Sequence, residues 1–369
     1  MTASMPAEAG FMQRALHLAA RGQGRVEPNP LVGCVVVRGT KIIGEGYHQR
    51  FGAPHAEVQA LRRCKGSAKG ATVYVTLEPC CFVGKTPPCT DALIQAGVGR
   101  VVAAMRDPNP RVTGRGLRVL RAAGVRAEVG LLQREAAELN APYVKLTQRG
   151  RPWVILKWAQ SLDGKIATRT GDSKWITDRR MRAHAQRTRG RVDAVIVGVA
   201  TVLADDPQLT CRVGRPRRVA VRVVVDTRLR TPPQARLVKT AKRIPTWIFC
   251  GPRAPRSRAT RLERAGCVIQ RVQRDGAGLS LDAVLETLGT RAMTNVLVEG
   301  GGRVLGCFFD RHLADEVHIY QAPLLMGGRS ATGALGGLGV PAVREALRLT
   351  EPIQTRRIGD GWFVQARLR

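Results

Sequence analysis

Apolar positions along this chain switch repeatedly between β-branched runs of strand length and stretches with helical spacing. Residues 1–22 place Phe11, Met12, Ala15, Leu16, Leu18 and Ala19 in the pattern of an amphipathic helix, with Glu8 among them, unlike the charged start and apolar core of a secretion signal. Residues 32–37 are rich in valine, Gly39 interrupts them and 41–44 resume, which predicts strand, turn, strand. Helical spacing over 55–63 leads to a strand at 71–77, a helix at 90–96 and a strand at 101–104 that ends at Asp107-Pro108-Asn109-Pro110. A helix at 116–123 and a short strand at 126–129 follow. Such alternation predicts a layered α/β domain.

The rhythm restarts near Gly150-Arg151-Pro152. A helix-like stretch at 133–139 ends at Asn140-Ala141-Pro142, and a new apolar strand runs over 153–158. Buried strands are expected at 194–199, 219–225, 246–249, 295–298 and 316–320, helices at 178–189, 281–287 and 303–309, and an exposed loop at 252–258. A chain of 369 residues suits two domains, here 1–149 and 150–369.

Composition narrows the class. The chain is 44% hydrophobic, and no apolar run reaches the ~20 residues of a bilayer span, so a non-membrane, cytoplasmic protein is expected. Nine cysteines, an odd and scattered set with Cys80, Cys81 and Cys89 crowded together, suit a metal site in a reducing compartment better than a disulfide framework. The net charge of +32 invites a nucleic-acid reading. The basic residues are dispersed, however, with about +10 before residue 148 and about +22 after it, so no specific nucleic-acid partner is expected.

The densest chemistry lies in His55-Ala56-Glu57, followed by Pro79-Cys80 and Cys89. One imidazole and two thiolates leave a fourth tetrahedral position on zinc open for water, as a catalytic site needs. His55 and Cys89 stand at predicted helix starts, where the dipole favours thiolate at Cys89. Glu57 falls in the first turn, close enough to take a proton from water and hand it to a departing amine. This is the grammar of zinc base deaminases, except that eight residues separate Cys80 from Cys89 instead of two. Singly, a histidine or a cysteine pair is an ordinary core feature. Cys81, adjacent on an extended segment, should point away and act as a bystander.

These residues sit within longer matching stretches: Pro28-Asn29-Pro30-Leu31-Val32-Gly33-Cys34, Gly46-Tyr47-His48, Pro54-His55-Ala56-Glu57, and Thr76-Leu77-Glu78-Pro79-Cys80 running to Gly84-Lys85-Thr86-Pro87-Pro88-Cys89. In them the chain resembles the bifunctional riboflavin biosynthesis deaminase/reductase family. The resemblance implies a cytidine-deaminase-like three-layer domain, one zinc on His55, Cys80 and Cys89, proton transfer by Glu57, and substrate contacts from Asn29, His48 and Lys85. Phe82 stands where the family usually has histidine, which removes one polar substrate contact.

The second half lacks a Gly-x-Gly-x-x-Gly opening. Its best nucleotide signal is Val298-Glu299-Gly300-Gly301-Gly302-Arg303, a strand running into three glycines and a helix start, where backbone amides can approach a pyrophosphate; a tight structural turn reads the same way. The resemblance continues through Lys157-Trp158-Ala159-Gln160-Ser161, Gly171-Asp172-Ser173-Lys174-Trp175, Gly198-Val199-Ala200-Thr201 to Asp205-Asp206-Pro207, and Leu209-Thr210-Cys211-Arg212. It implies a dihydrofolate-reductase-like domain. NADPH would be held by Ala159, Trp175, Thr201, Asp205, Gly301, Gly302 and Arg303, and the substrate by Ser173, Arg189, Leu209, Arg212 and Glu299.

The implied reactions are hydrolytic deamination of a small-molecule phosphoribosylaminopyrimidine and NADPH-dependent reduction of its ribosyl group, by a chain that could form a homo-oligomer. Two alternatives stay open on charge alone: a deaminase of polynucleotide bases, and a basic nucleic-acid-binding protein without catalysis.

Overall fold

The computed structural model describes residues 7–276 and 278–368. The chain divides into two compact units, one ending at Gly150 and the other beginning at Arg151.

The first unit contains α1 (Ala7–Ala20), β1 (Gly33–Arg38), β2 (Lys41–Tyr47), α2 (Ala56–Arg62), β3 (Thr72–Val75), α3 (Cys89–Gln95), β4 (Arg100–Ala103), α4 (Arg115–Ala122), β5 (Arg126–Val129), α5 (Gln133–Leu139) and α6 (Ala141–Arg149). Residues 1–6 of the expected first helix lie outside the described residues. The sheet order is β2-β1-β3-β4-β5, with β1 antiparallel to both β2 and β3 while β3, β4 and β5 run parallel. All of β1 except Arg38 is buried, as a strand covered on both faces must be, and this accounts for its nearly unbroken apolar run. Gly46 lets α2 lie directly on β2, because a Cβ there would run into the backbone nitrogen of Ala60. That close approach fixes the start of α2, where His55 stands.

The helix expected over 133–139 does end at Asn140, but the sequence did not anticipate the second helix that Asn140 starts, α6, with Pro142 in the first turn, where its missing N–H costs nothing. The Asn140 side chain is spent on the backbone of Leu31, accepting from its N–H at 2.8 Å and donating to its carbonyl at 3.0 Å.

The second unit is built on β6 (Trp153–Gln160), α7 (Arg179–Arg189), β7 (Ala194–Gly198), α8 (Val199–Asp205), β8 (Val221–Val225), β9 (Thr246–Cys250), α9 (Arg256–Arg264), β10 (Val268–Arg271), α10 (Leu281–Thr290), β11 (Asn295–Val298), α11 (Gly302–Asp310), β12 (Glu316–Gln321), β13 (Leu349–Ile358) and β14 (Gly361–Leu368). Their sheet order is β10-β9-β8-β7-β11-β6-β12-β14-β13. The first seven in this order run parallel, and the β13–β14 hairpin closes one edge antiparallel. Alternate residues of the central strands enter two separate cores: Val154, Leu156, Val296 and Val298 face one, Ile155, Val195, Val197 and Leu297 the other. Both faces are therefore covered, and the strands read as continuous apolar runs. Residues 256–264, partly expected as loop, form α9, and neither strand of the terminal hairpin was anticipated from sequence.

Candidate active sites

In the first unit, His55 is the residue preceding α2 and Cys89 is the first residue of α3, while Cys80 lies on the segment that leaves β3. The three donor atoms lie within 4.8 Å of one another. His55 Nδ1 is 3.3 Å from Cys89 Sγ and 3.5 Å from Cys80 Sγ. Tetrahedral zinc, with nitrogen at ~2.0 Å and sulfur at ~2.3 Å, separates those donors by about 3.5 Å, so the set fits zinc. The far nitrogen, Nε2, lies 3.4 Å from Thr86 Oγ1, a partner that orients the ring and leaves Nδ1 to the metal.

Between the two thiols, the hydrogen bond from Cys89 holds Cys80 far below the ordinary thiol range, at about 4, while Cys89 is pushed up. The backbone N–H of Cys89 also points at Cys80 Sγ, 3.4 Å away. Cys81 has no place among the donors.

Glu57 sits in the first turn of α2 and is 3% exposed. Burial first, and then the charge on Cys80, raise its pKa to about 7, against the opposing pull of His55. A carboxyl poised there can both accept and return a proton near neutral pH. Beside it opens a cavity of about 340 Å³, lined among others by Asn29, His48, Glu57, Phe82, Lys85 and Asp107. His48 is buried, and that burial, with His55 second, lowers its pKa to about 4, so it is neutral. Its Nδ1 faces the Pro54 carbonyl at 3.4 Å, and its Nε2 accepts from the Asn29 amide at 3.1 Å. The Asn29 amide nitrogen is thereby fixed, and its oxygen remains as an acceptor for a ligand.

Sequence reasoning gave no role to Glu78, Asp107 or Tyr143. The Glu78 carboxylate accepts from the backbone N–H groups of Asp107, Gly114 and Leu117, at 3.4, 3.0 and 3.3 Å, and so ties the loop after β4 to the segment that carries Cys80. Asp107, raised to about 6 by burial, accepts from the Tyr143 hydroxyl at 2.8 Å. Glu78 stood inside a quoted motif, but nothing in its spacing signals where the partners come from.

In the second unit the strand ends supply the site. Glu299 follows β11 and forms a two-pronged pair with Arg189 of α7, both bonds 2.6 Å, with Lys157 of β6 at 3.7 Å. Burial by itself would raise Glu299, but the charges of Arg189 and Lys157 outweigh it and hold the carboxyl at about 2. Lys157 was quoted within a motif without a role. Next to this group, Thr201 of α8 accepts from the Gly301 N–H at 3.0 Å, joining the ends of two neighbouring strands.

The two glycines differ. A Cβ at Gly302 would lie 2.8 Å from the Gly333 carbonyl, so packing requires glycine there. At Gly301 a Cβ would meet only Thr201 Oγ1, at 3.6 Å, so the space above this helix start is open to a ligand. Arg303 and Asp205 are exposed, and Ala159 and Ser173 are half-buried. Trp175 is 72% exposed, with the Arg182 guanidinium 4.4 Å from its ring centre. Leu209 is buried, and Arg212 is exposed with its N–H on Gln186 at 2.8 Å.

Residues 5–105 match the cytidine and deoxycytidylate deaminase zinc-binding region, and residues 152–364 match the RibD C-terminal domain. The chain is 42% identical to the riboflavin biosynthesis protein RibD of Bacillus amyloliquefaciens, over 92% of this chain and 91% of that one. It is 43% identical to RibD of Escherichia coli, over 86% and 88%. Among solved structures, Acinetobacter baumannii RibD superposes with a TM-score of 0.86 at 36% identity, covering 98% of this chain and 99% of the other. The Thermotoga maritima diaminohydroxyphosphoribosylaminopyrimidine deaminase/5-amino-6-(5-phosphoribosylamino)uracil reductase gives 0.84 at 35%, with the same coverage. The chain therefore belongs to the RibD family of riboflavin biosynthesis proteins, as a bifunctional enzyme with a zinc-binding, cytidine-deaminase-like domain and a dihydrofolate-reductase-like reductase domain.

Proposed function

We propose that residues 1–149 deaminate 2,5-diamino-6-(5-phosphoribosylamino)pyrimidin-4(3H)-one and that residues 150–369 reduce the resulting 5-amino-6-(5-phosphoribosylamino)uracil with NADPH. The observation that carries the first half is the set His55, Cys80 and Cys89 at zinc spacing beside the buried Glu57. Zinc, when bound, supplies the Lewis acidity that makes water nucleophilic near neutral pH. Glu57 takes the proton that water gives up as its oxygen bonds to the ring carbon, then delivers it to the amine, which leaves as ammonia. Asn29, held by His48, reads the pyrimidine edge through its free oxygen, and Lys85 meets the phosphate.

In the reductase, NADPH when bound would supply the hydride that reduces the sugar C1, and with a solvent proton taken up by the ring oxygen as its bond to C1 breaks, the ribosyl ring would become the open ribityl chain. Gly301 offers its open helix start to the pyrophosphate, with Gly302, Arg303, Thr201 and Asp205 around it and Ala159 and Trp175 completing the cofactor contacts. Glu299, locked by Arg189, orients the substrate with Ser173, Leu209 and Arg212. All nine cysteines are free thiols, and among the described residues no helix is long and apolar enough to cross a membrane, which supports a cytoplasmic location.

The test is to supply the phosphoribosylated diaminopyrimidinone to metal-assayed protein and follow ammonia and NADPH together. About one zinc per chain, ammonia release and later NADPH oxidation are expected. Deamination that survives complete zinc removal refutes the first half, and NADPH that is not consumed on the deaminated intermediate refutes the second.

A further inference from the structure

Two cations at the deaminase cavity rest on aromatic rings. Lys85 Nζ lies 3.9 Å from the centre of the Phe51 ring, and the Arg111 guanidinium carbon lies 4.1 Å from the centre of the Phe82 ring. Phe51, Phe82 and Lys85 all line the cavity that also holds Glu57. Arg111 arrives from the loop after β4, where its N–H donates to Asn109 Oδ1 at 3.0 Å, and Asn109 lines the same cavity. Among the described residues, neither the Lys85 ammonium nor the Arg111 guanidinium has a hydrogen-bond or ion-pair partner. A guanidinium held over a ring by cation–π attraction uses none of its N–H donors in that contact, so its N–H fork stays open to a planar pair of acceptor oxygens. The ring also restricts the long side chain, so less entropy is lost when the fork engages.

We propose that Arg111, held on Phe82, is a second phosphate-binding cation of the deaminase cavity, acting beside Lys85 to select phosphorylated over unphosphorylated pyrimidine ribosides. The assignment rests on the deaminase reading given above. A phosphate dianion at the mouth meets two positive charges that have no acidic partner to be displaced, one a point charge and one a fork. The apolar rings beneath keep water from one side of each cation and strengthen both contacts.

The test follows ammonia release by zinc-loaded full-length protein on the phosphoribosyl substrate and on the same compound without its phosphate. In Arg111→Ala the KM for the phosphorylated substrate should rise about tenfold, the worth of one charge-assisted contact, and the preference for phosphate should fall by a similar factor. Arg111→Lys should lose less, since charge remains without the fork. Phe82→Leu, which keeps apolar filling but removes the ring, should fall between wild type and Arg111→Ala. Zinc content and circular dichroism monitor folding. An Arg111→Ala KM within about twofold of wild type overturns the proposal and leaves the deaminase reading standing. Equal losses on both substrates also overturn it, because they assign Arg111 to the fold. Wild-type protein that releases no ammonia from the phosphorylated substrate overturns the reading and the proposal together.

Discussion

Replacing Glu299 by Gln tests whether the buried charges of the reductase are held in balance by a single carboxylate. Glu299, Arg189 and Lys157 have side chains only 5%, 16% and 16% exposed, and together carry one net positive charge. Glu299→Gln leaves two such charges with no counter-charge, a change that typically costs about 3–5 kcal/mol. The carboxyl itself gives a similar figure, since a fall from 4.5 to about 2 is worth roughly 3 kcal/mol. A depressed carboxyl stabilises the fold above its unfolded value, so the penalty should be full at pH 7 and shrink as pH falls from 4.5 toward about 2. All five tryptophans (Trp153, Trp158, Trp175, Trp247 and Trp362) belong to the second unit, so tryptophan fluorescence reports that unit's unfolding alone. A loss of this size should lower the urea midpoint by on the order of 1 M. Adding Arg189→Gln should recover part of it, because one uncompensated cation goes with the partner it lost. A midpoint within about 0.2 M of wild type at pH 7 would refute the charge-balance argument.

Glu57→Gln keeps size and a hydrogen-bonding group but cannot cycle a proton, so ammonia release should fall at least ~10²-fold while zinc stays bound and reduction of the deaminated intermediate continues; loss of both activities in folded protein would point to one shared site instead. Gly301→Val places a side chain in open space, so the unfolding midpoint should hold while the KM for NADPH rises at least about tenfold, and an unchanged KM would remove the pyrophosphate from that turn. His184, which accepts from the Tyr320 hydroxyl at 2.8 Å, is lowered to about 4 by burial and then by Arg356. The fold thus rejects its protonated form, and stability that is full above pH ~6.5 should decline as pH falls toward 4. His184→Asn should flatten the fall in the tryptophan-detected melting temperature between pH 7 and pH 5, and an unaltered slope would exclude this histidine as its source.

Much of this was readable from local pattern. The zinc donors were legible because a metal constrains residue type and spacing together, and the central strands because burial on both faces leaves continuous apolar runs. The terminal hairpin was not, since most of Leu349–Ile358 is exposed and Arg356, Arg357 and Pro352 break any alternation. Helix α9 hid behind four arginines among its nine residues. The partners of Glu78 come from residues 107–117, and the ring under Arg111 lies 29 positions earlier in the chain. Contacts of that kind are created by folding and carry no periodic mark in the sequence.

Two of the three zinc donors, Cys80 and Cys89, bracket the short segment that carries Phe82, Lys85 and Thr86. Metal bound there acts as a cross-link, closing a loop whose free ends would otherwise sample many arrangements. The ordering of Phe82 and Lys85 is then partly a property of the metal, although neither residue touches it. Loss of zinc would then remove more than a Lewis acid: it would slacken the mouth of the cavity, so that affinity for the substrate and the capacity to turn it over would fail as a single event.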